Sequence, residues 1–277
     1  TPFRSWRIMD GTEPEGYIEF EIRYSDLVGN IGDTVEETTN ETSILFDMTP
    51  PDDFELDTVF VSGGKVIFGF WNASNDTLTL RVPIPEDDET LIGGTFQSQV
   101  RFGEGAYVNL GDEKIIIGGQ GVSSQDLKIT RMEFTTIDGF SENLNVQFIA
   151  KAKDRAGNET VGSTDNTTLH IDEIVPFLTE VLIQSNNELD STWAKISDIV
   201  SLDFTASEGL SSVTPVLFSD SLIGIPENAG SSWTVTKTIL SDNAEGVIPF
   251  FITYNDTAGN DGDQVSSSTD GRFVTLD

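Results

Sequence analysis

The chain contains no cysteine. That absence excludes disulfide staples, thiolate zinc sites and cysteine nucleophiles together. Cationic side chains are scarce as well: 15 Lys and Arg stand against 47 Asp and Glu, a formal charge of -32. Such a surface repels phosphate and offers no basic stripe, so nucleic acid is excluded as a partner. The one histidine, His170, sits in the alternating stretch "TTLHID" and reads as a strand residue, because neither a base nor a metal site has its partners nearby in the sequence. No apolar run approaches the roughly 20 residues of a membrane span. The opening "TPFRSWRIMDG" lacks the apolar core of a signal peptide and reads as internal to a longer precursor. No nucleophile elbow, HExxH or phosphate loop occurs, so the expectation is a protein that is not an enzyme.

What remains is ample for folding. The 277 residues are 37% apolar, with 18 Phe, enough for two or three domains with real cores. Without disulfides such domains rest on large cores, on metal, or on both. The acidic excess suits divalent cations or a surface kept soluble by repulsion. Stretches such as "GYIEFEIRYSD", "DTLTLRVPI" and "SWTVTKTIL" alternate apolar and polar residues between clusters of Gly, Asn, Asp and Pro. That is strand periodicity, and no useful helical periodicity competes with it. The reading is all-β, short strands and tight turns, the pattern of sandwiches.

One phrase recurs three times: "FEIRYSDLVGN" at 20–30, "FIAKAKDRAGN" at 148–158 and "FFITYNDTAGN" at 250–260. Sliding Asp26 onto Asp256 is a shift of 230 residues, and it holds without a gap from Glu15/Glu245 to Asp47/Asp277. The middle copy lies 128 residues after the first and 102 before the third, which implies alternating unlike domains. The expected division is residues 1–47 as the C-terminal part of one domain, 48–173 as a second and 174–277 as a third, joined by short Pro-containing linkers. Residues 1–47 supply only the last strands of a sandwich, so they are expected not to fold alone; the missing strands come from upstream residues or a neighbouring chain.

These phrases, the junctions "DMTPP" at 47–51 and "DEIVP" at 172–176, and "AKISDIVSLDFTASEGL" at 194–210 resemble the tandem immunoglobulin-like domains of bacterial and archaeal cell-surface proteins and large adhesins. The resemblance covers the third domain and the first fragment, and the middle domain in its final third. It implies tandem immunoglobulin-like β-sandwiches in a linear array, extracellular and at the cell surface, as an adhesin shaft, filament or surface-layer component. Its partners would be neighbouring domains or copies of the same protein. The alternative is a module that binds a glycan or a protein.

The recurrent phrase has two readings. As a hairpin turn, its Gly supplies a positive φ and its Asp and Asn bond the turn backbone. As a metal loop, it lies where one domain meets the next. Asp172, Asp256 and Asn260 would then converge at one junction, and Asp47, Asp154 and Asn158 at the other, with Asp26 and Asn30 as the equivalent pair of the first copy. The loop after the second strand adds Glu208 in the third domain and Asp76 in the middle one. Oxygen donors in such numbers suit calcium, and the resemblance implies calcium-stapled junctions. "NDTAGNDGD" lacks the ligand spacing of an EF-hand.

Weaker signals remain. "PEDDET" at 85–90 and "DTVEETTNE" at 33–41 read as solvated charge. Trp71, Trp193 and Trp233 suit either core packing or sugar stacking, and Trp6 and Trp233 read as one structural position. Six sequons occur, at Asn40, Asn72, Asn75, Asn158, Asn166 and Asn255, and are candidate glycan sites.

Overall fold

Alternation in the sequence becomes alternation of burial. In Ile199–Ala206 the residues Val200, Leu202, Phe204 and Ala206 point inward while Ser201, Asp203 and Thr205 do not. The computed structural model describes residues 6–85, 88, 90–118, 122–164, 167–227 and 230–277. Among these, strands dominate and group around two separate apolar cores.

In the C-terminal sandwich, Leu178–Ser185, Ile199–Ala206, Ser232–Thr238 and Ile225–Glu227 form one antiparallel sheet in that spatial order. The facing sheet runs Asp220–Ser221, Leu210–Leu217, Phe250–Asp256. Trp193–Ala194 lies parallel to Thr275–Leu276, which also pairs with Gly246–Val247. The middle sandwich repeats the plan. Thr58–Ser62, Thr77–Pro83 and Ser124–Thr130 form one sheet. Phe70–Asn72, Leu169–Asp172, Asn145–Lys153, Thr95–Phe102 and Val108–Asn109 follow one another in the other. Each unit is two facing, mainly antiparallel sheets with an extra edge strand (Asp220–Ser221, Val108–Asn109) beside the third long strand, and the all-β, immunoglobulin-like expectation is met at the level of the sandwich.

Burial holds each sandwich closed. Val181, Leu202 and Val235 meet Leu217, Ile252 and Val274 in one core; Leu80 and Ile129 meet Phe96 and Phe148 in the other. Each fully buried side chain of this size contributes about 1.5–3 kcal/mol, which makes disulfides dispensable. Trp71 is buried edge-on to Phe134, ring centroids 4.8 Å apart.

Two features depart from the sequence reading. A one-turn helix, Arg131–Thr135, carries a capping box in which Thr130 and Glu133 satisfy each other's backbone; the "TRME" signal was too short to register as periodicity. The final hairpin strand is also less regular than expected. After the turn it touches Phe250–Asp256 only at Asn255↔Asp261 and Ile252↔Val265 before it becomes Thr275–Leu276. Its Ser, Asp and Gly residues bury little, so beyond the turn pairing persists only where Val265 packs on the core.

Residues 16–47 reproduce residues 246–277 contact for contact. Gly16↔Phe46, Ile22↔Val35 and Ser25↔Ile31 correspond to Gly246↔Leu276, Ile252↔Val265 and Asn255↔Asp261. Even a packing detail recurs. A Cβ on Gly32 would lie 2.2 Å from the Tyr24 ring, and one on Gly262 would lie 2.1 Å from Tyr254. Both tyrosine rings lie over a glycine, and a Cβ there would have to displace the ring.

Candidate functional site

Asp26, Asp154 and Asp256 close one turn three times. The backbone N–H of Asn30, Asn158 and Asn260 donates to the aspartate Oδ1 at 2.8, 2.9 and 2.8 Å. The amide Nδ2 of the same asparagines donates to Oδ2 at 2.6, 2.9 and 2.9 Å. The intervening Gly29, Gly157 and Gly259 hold φ at 93°, 100° and 91°, which disfavours any side chain there. The turn is therefore local chemistry, complete without a ligand. Hydrogen bonds from Asn30 hold the Asp26 carboxyl below its ordinary pKa.

What differs between copies is the second amide hydrogen. In Asn30 it has no cross-domain acceptor among the described residues. In Asn158 it reaches the backbone O of Asp47 at 3.3 Å. In Asn260 it reaches the backbone O of Asp172 at 2.9 Å, and the amide oxygen accepts from Ala73 N at 2.9 Å. Asn260 is buried, and every polar atom of its side chain is engaged. It clips together its own turn, the linker before it and a loop of the preceding sandwich. Asn72 returns the contact, its Nδ2 donating to Ala258 O at 2.7 Å. Beside them Lys65 pairs with Asp261 at 2.9 Å, and Ile67 packs so closely that a Cβ on Gly259 would lie 2.7 Å from it.

Three of the residues expected at this junction bring carboxylates together. The Asn260 oxygen already accepts a hydrogen bond from Ala73 N. The carboxylates that do converge are Asp172, Glu208 and Asp256, with ligand atoms within 4.8 Å of one another. Burial, then the carboxylate of Asp256, pushes Asp172 above its ordinary pKa; burial, then Asp172 and Asp256, does the same to Glu208. Glu142 adds to the repulsion at both, while His170 partly offsets it at Asp172.

The other junction is built differently. Asp47 Oδ1 accepts from Thr49 N at 3.0 Å, while its Oδ2 is buried without a partner among the described residues. Glu15 accepts from Met48 N at 2.8 Å and from the Thr49 hydroxyl, and Thr160 donates its hydroxyl to Pro51 O, so the linker is pinned from both sides. Among the described residues no third carboxylate joins Asp47 and Asp154. Asp76 is not there, for a reason of register. Phe70–Asn72 runs beside Leu169–Asp172, so the 72–76 loop emerges next to Asp172 instead. The loop that reaches the Asp154 end follows Thr77–Pro83, where Thr90 O accepts from Arg155 N at 3.1 Å. It holds part of "PEDDET", of which Glu86, Asp87 and Glu89 lie outside the described residues; Asp88 caps the Thr90 and Leu91 backbone N–H groups.

Two sequons are corrected as well. Asn72 and Asn75 are fully buried; the nitrogen a glycan would take donates from Asn72 to Lys65 O and Ala258 O, and from Asn75 to Gly63 O. Asn40 is exposed, Asn158 and Asn255 are half-buried, and Asn166 lies outside the described residues. Trp71 is core: its Nε1 donates to Glu173 at 2.8 Å, and Arg131 both pairs with Glu173 and stands over the ring. Trp233 packs on the second core and donates to Gly230 O at 2.7 Å, whereas Trp193 is half-exposed and Trp6 is fully exposed.

The chain matches no protein-family profile and no curated protein. Among solved structures it is similar to the crystal structure of Rst D1-D2, at 13% identity and a TM-score of 0.30, over 83% of this chain and 96% of that one. So loose a superposition carries no argument about fold or role. The fold is read from the strand order itself.

Proposed function

We propose that the protein is a structural component of the cell surface, an extracellular array of immunoglobulin-like sandwiches without catalytic activity. It would serve as an adhesin shaft, surface filament or surface-layer component of the tandem-repeat kind that its sequence resembles. The observation that carries this reading is the clip at Asn260, where the most recurrent motif in the chain is spent on fixing one sandwich to the next. A binding loop would leave its polar atoms free for a partner; here the Asn260 side chain bonds its own turn, the linker and the preceding sandwich.

The proposal includes calcium at Asp172, Glu208 and Asp256. Three carboxylates are hard oxygen donors and contain none of the nitrogen or sulfur that zinc favours. Their mutual repulsion in a half-buried place is relieved by a cation, whose charge would belong to both sandwiches at once. Asp172 and Glu208 come from the linker and from the turn after Ile199–Ala206, and Asp256 from the clip itself. Affinity on the order of 10⁻⁴ to 10⁻³ M suffices in an extracellular setting.

Small-angle scattering of the full chain in calcium and in excess chelator tests the reading, with Asp172→Asn/Glu208→Gln as the control variant. The expected result is a stiffer particle with calcium for the native chain and no response in the variant. Identical envelopes for the native chain in both buffers would remove calcium from the proposal. Antibody labelling of intact cells tests location separately, and a purely internal signal would refute the surface role.

A further inference from the structure

Residues 16–47 and 246–277 share one backbone and have opposite surroundings. Ile252 is 0% and Tyr254 5% exposed; their counterparts Ile22 and Tyr24 are 53% and 54% exposed. The same holds along the whole face: Ile248, Phe250 and Val274 are buried, whereas Ile18, Phe20 and Ile44 are open to solvent. In the C-terminal sandwich this face is covered by Leu178–Ser185, Ile199–Ala206 and Ser232–Thr238, which contribute Val181, Leu202 and Val235 to the shared core. The polar edge tells the same story. Thr269 exchanges hydrogen bonds with the backbone of Val181, N–H to O at 2.9 Å and Val181 N to Oγ1 at 3.1 Å. Its counterpart Thr39 has no such partner among the described residues.

We infer that the face formed by Ile18, Phe20, Ile22, Tyr24 and Ile44 is a docking surface for a half-sandwich built like residues 178–238. Its edge strand would lie along Thr39 as Leu178–Ser185 lies along Thr269, and its inner strands would set alternating apolar residues against the five named. The occupant is polypeptide of that pattern and no other class. A finished sandwich, such as that of a second copy, already carries its own Phe250–Asp256 strand in these positions. An anionic lipid surface is repelled, because Glu19, Glu21, Glu36 and Glu37 line the trough beside Ile18 and Phe20. An apolar face this large, left bare, is a liability that a soluble protein covers. The inference does not depend on calcium or on cellular location.

The test supplies the missing half. In a chain where residues 1–15 are replaced by a copy of residues 174–245, Gly16 follows the copied Glu245 as Gly246 follows the original. Hydrogen exchange at the Ile22 and Val35 amides, which bond each other's carbonyls in the native chain, is expected to slow on the order of 100-fold in the extended one, approaching Ile252 and Val265. Two results would overturn the inference: exchange as fast as in the native chain, or equal slowing in the Ile22→Asp/Tyr24→Asp variant of the extended chain. The native chain gives a second reading that needs no extension. Ile22→Ser should leave its unfolding unchanged where Ile252→Ser lowers it, and equal losses would show that the face is not bare. Concentration-dependent dimers of the native chain that slow the same amides would assign the face to a second copy and refute the occupant named here.

Discussion

Replacing Asn260 by alanine separates turn chemistry from junction chemistry. The backbone bonds between Asp256 and Asn260 survive the change. What is lost is the bond to Asp256 Oδ2, the bond to Asp172 O and the bond from Ala73 N. The first is buried and leaves a carboxylate oxygen short of a donor; the other two are partly reached by water. Counting about 1.5–2 kcal/mol for the buried charged bond and about 0.5–1 for each of the others gives a loss of about 3 kcal/mol. The repeats provide internal controls. Asn158→Ala loses one turn bond and one longer cross-junction bond, for about 1–2 kcal/mol, and Asn30→Ala loses only an exposed turn bond, with no measurable effect expected. Denaturant unfolding of the full chain, followed by domain-resolved hydrogen exchange, should rank the variants 260, 158, 30. It should also show Asn260→Ala splitting the unfolding of the two sandwiches. Equal effects at all three positions would reduce the motif to a turn former and refute the clip.

Gly262→Ala should cost about 1–3 kcal/mol in thermal unfolding, because Tyr254 is buried and cannot leave the new Cβ. Gly32→Ala should cost nothing, because Tyr24 is exposed and free to swing away, and a matching loss would contradict the exposure described above. Glu133 is held below its ordinary pKa of 4.5 by hydrogen bonds from Thr130. It therefore stabilises the fold above about pH 4.5, and that contribution disappears as pH falls through its lower folded value. Melting temperatures between pH 3 and 7 should show a flatter acid limb in Glu133→Gln than in the native chain, and parallel profiles would discount the capping box.

Much of the fold was legible because strand periodicity and turn chemistry are local. Val200, Leu202 and Phe204 announce an inward face by spacing alone, and the shift of 230 residues predicts the register Ile22↔Val35 from Ile252↔Val265. The middle sandwich was less legible for a physical reason. Between Thr95–Phe102 and Asn145–Lys153 it inserts Lys114–Ile115, a helical turn, and Phe134 and Phe140, which pack on Phe102, so only its last third keeps the common pattern. Asn72 and Asn75 are sequons in the sequence, which gives a residue's type without its burial. Their amides instead cap the 63–65 backbone and the neighbouring turn.

The site was legible in its residues and illegible in its atoms. Asp172, Asp256 and Asn260 do meet, but an asparagine offers an oxygen to a cation and hydrogens to a carbonyl, and sequence cannot say which end faces the junction. Here the hydrogens hold Asp172 O and Asp256, the oxygen holds Ala73, and Glu208 stands with the two aspartates. The same five-residue turn is thus solvent-exposed at Asn30, tied to a linker at Asn158 and buried between two sandwiches at Asn260. Its internal bonds hardly vary among the three, so the turn cannot be what distinguishes them. The difference lies in what the preceding segment brings to the second amide hydrogen and, at Asn260, to the amide oxygen. Junction strength is therefore set by that segment, and moving the 63–75 loop of the middle sandwich, without touching the motif, should be enough to change it.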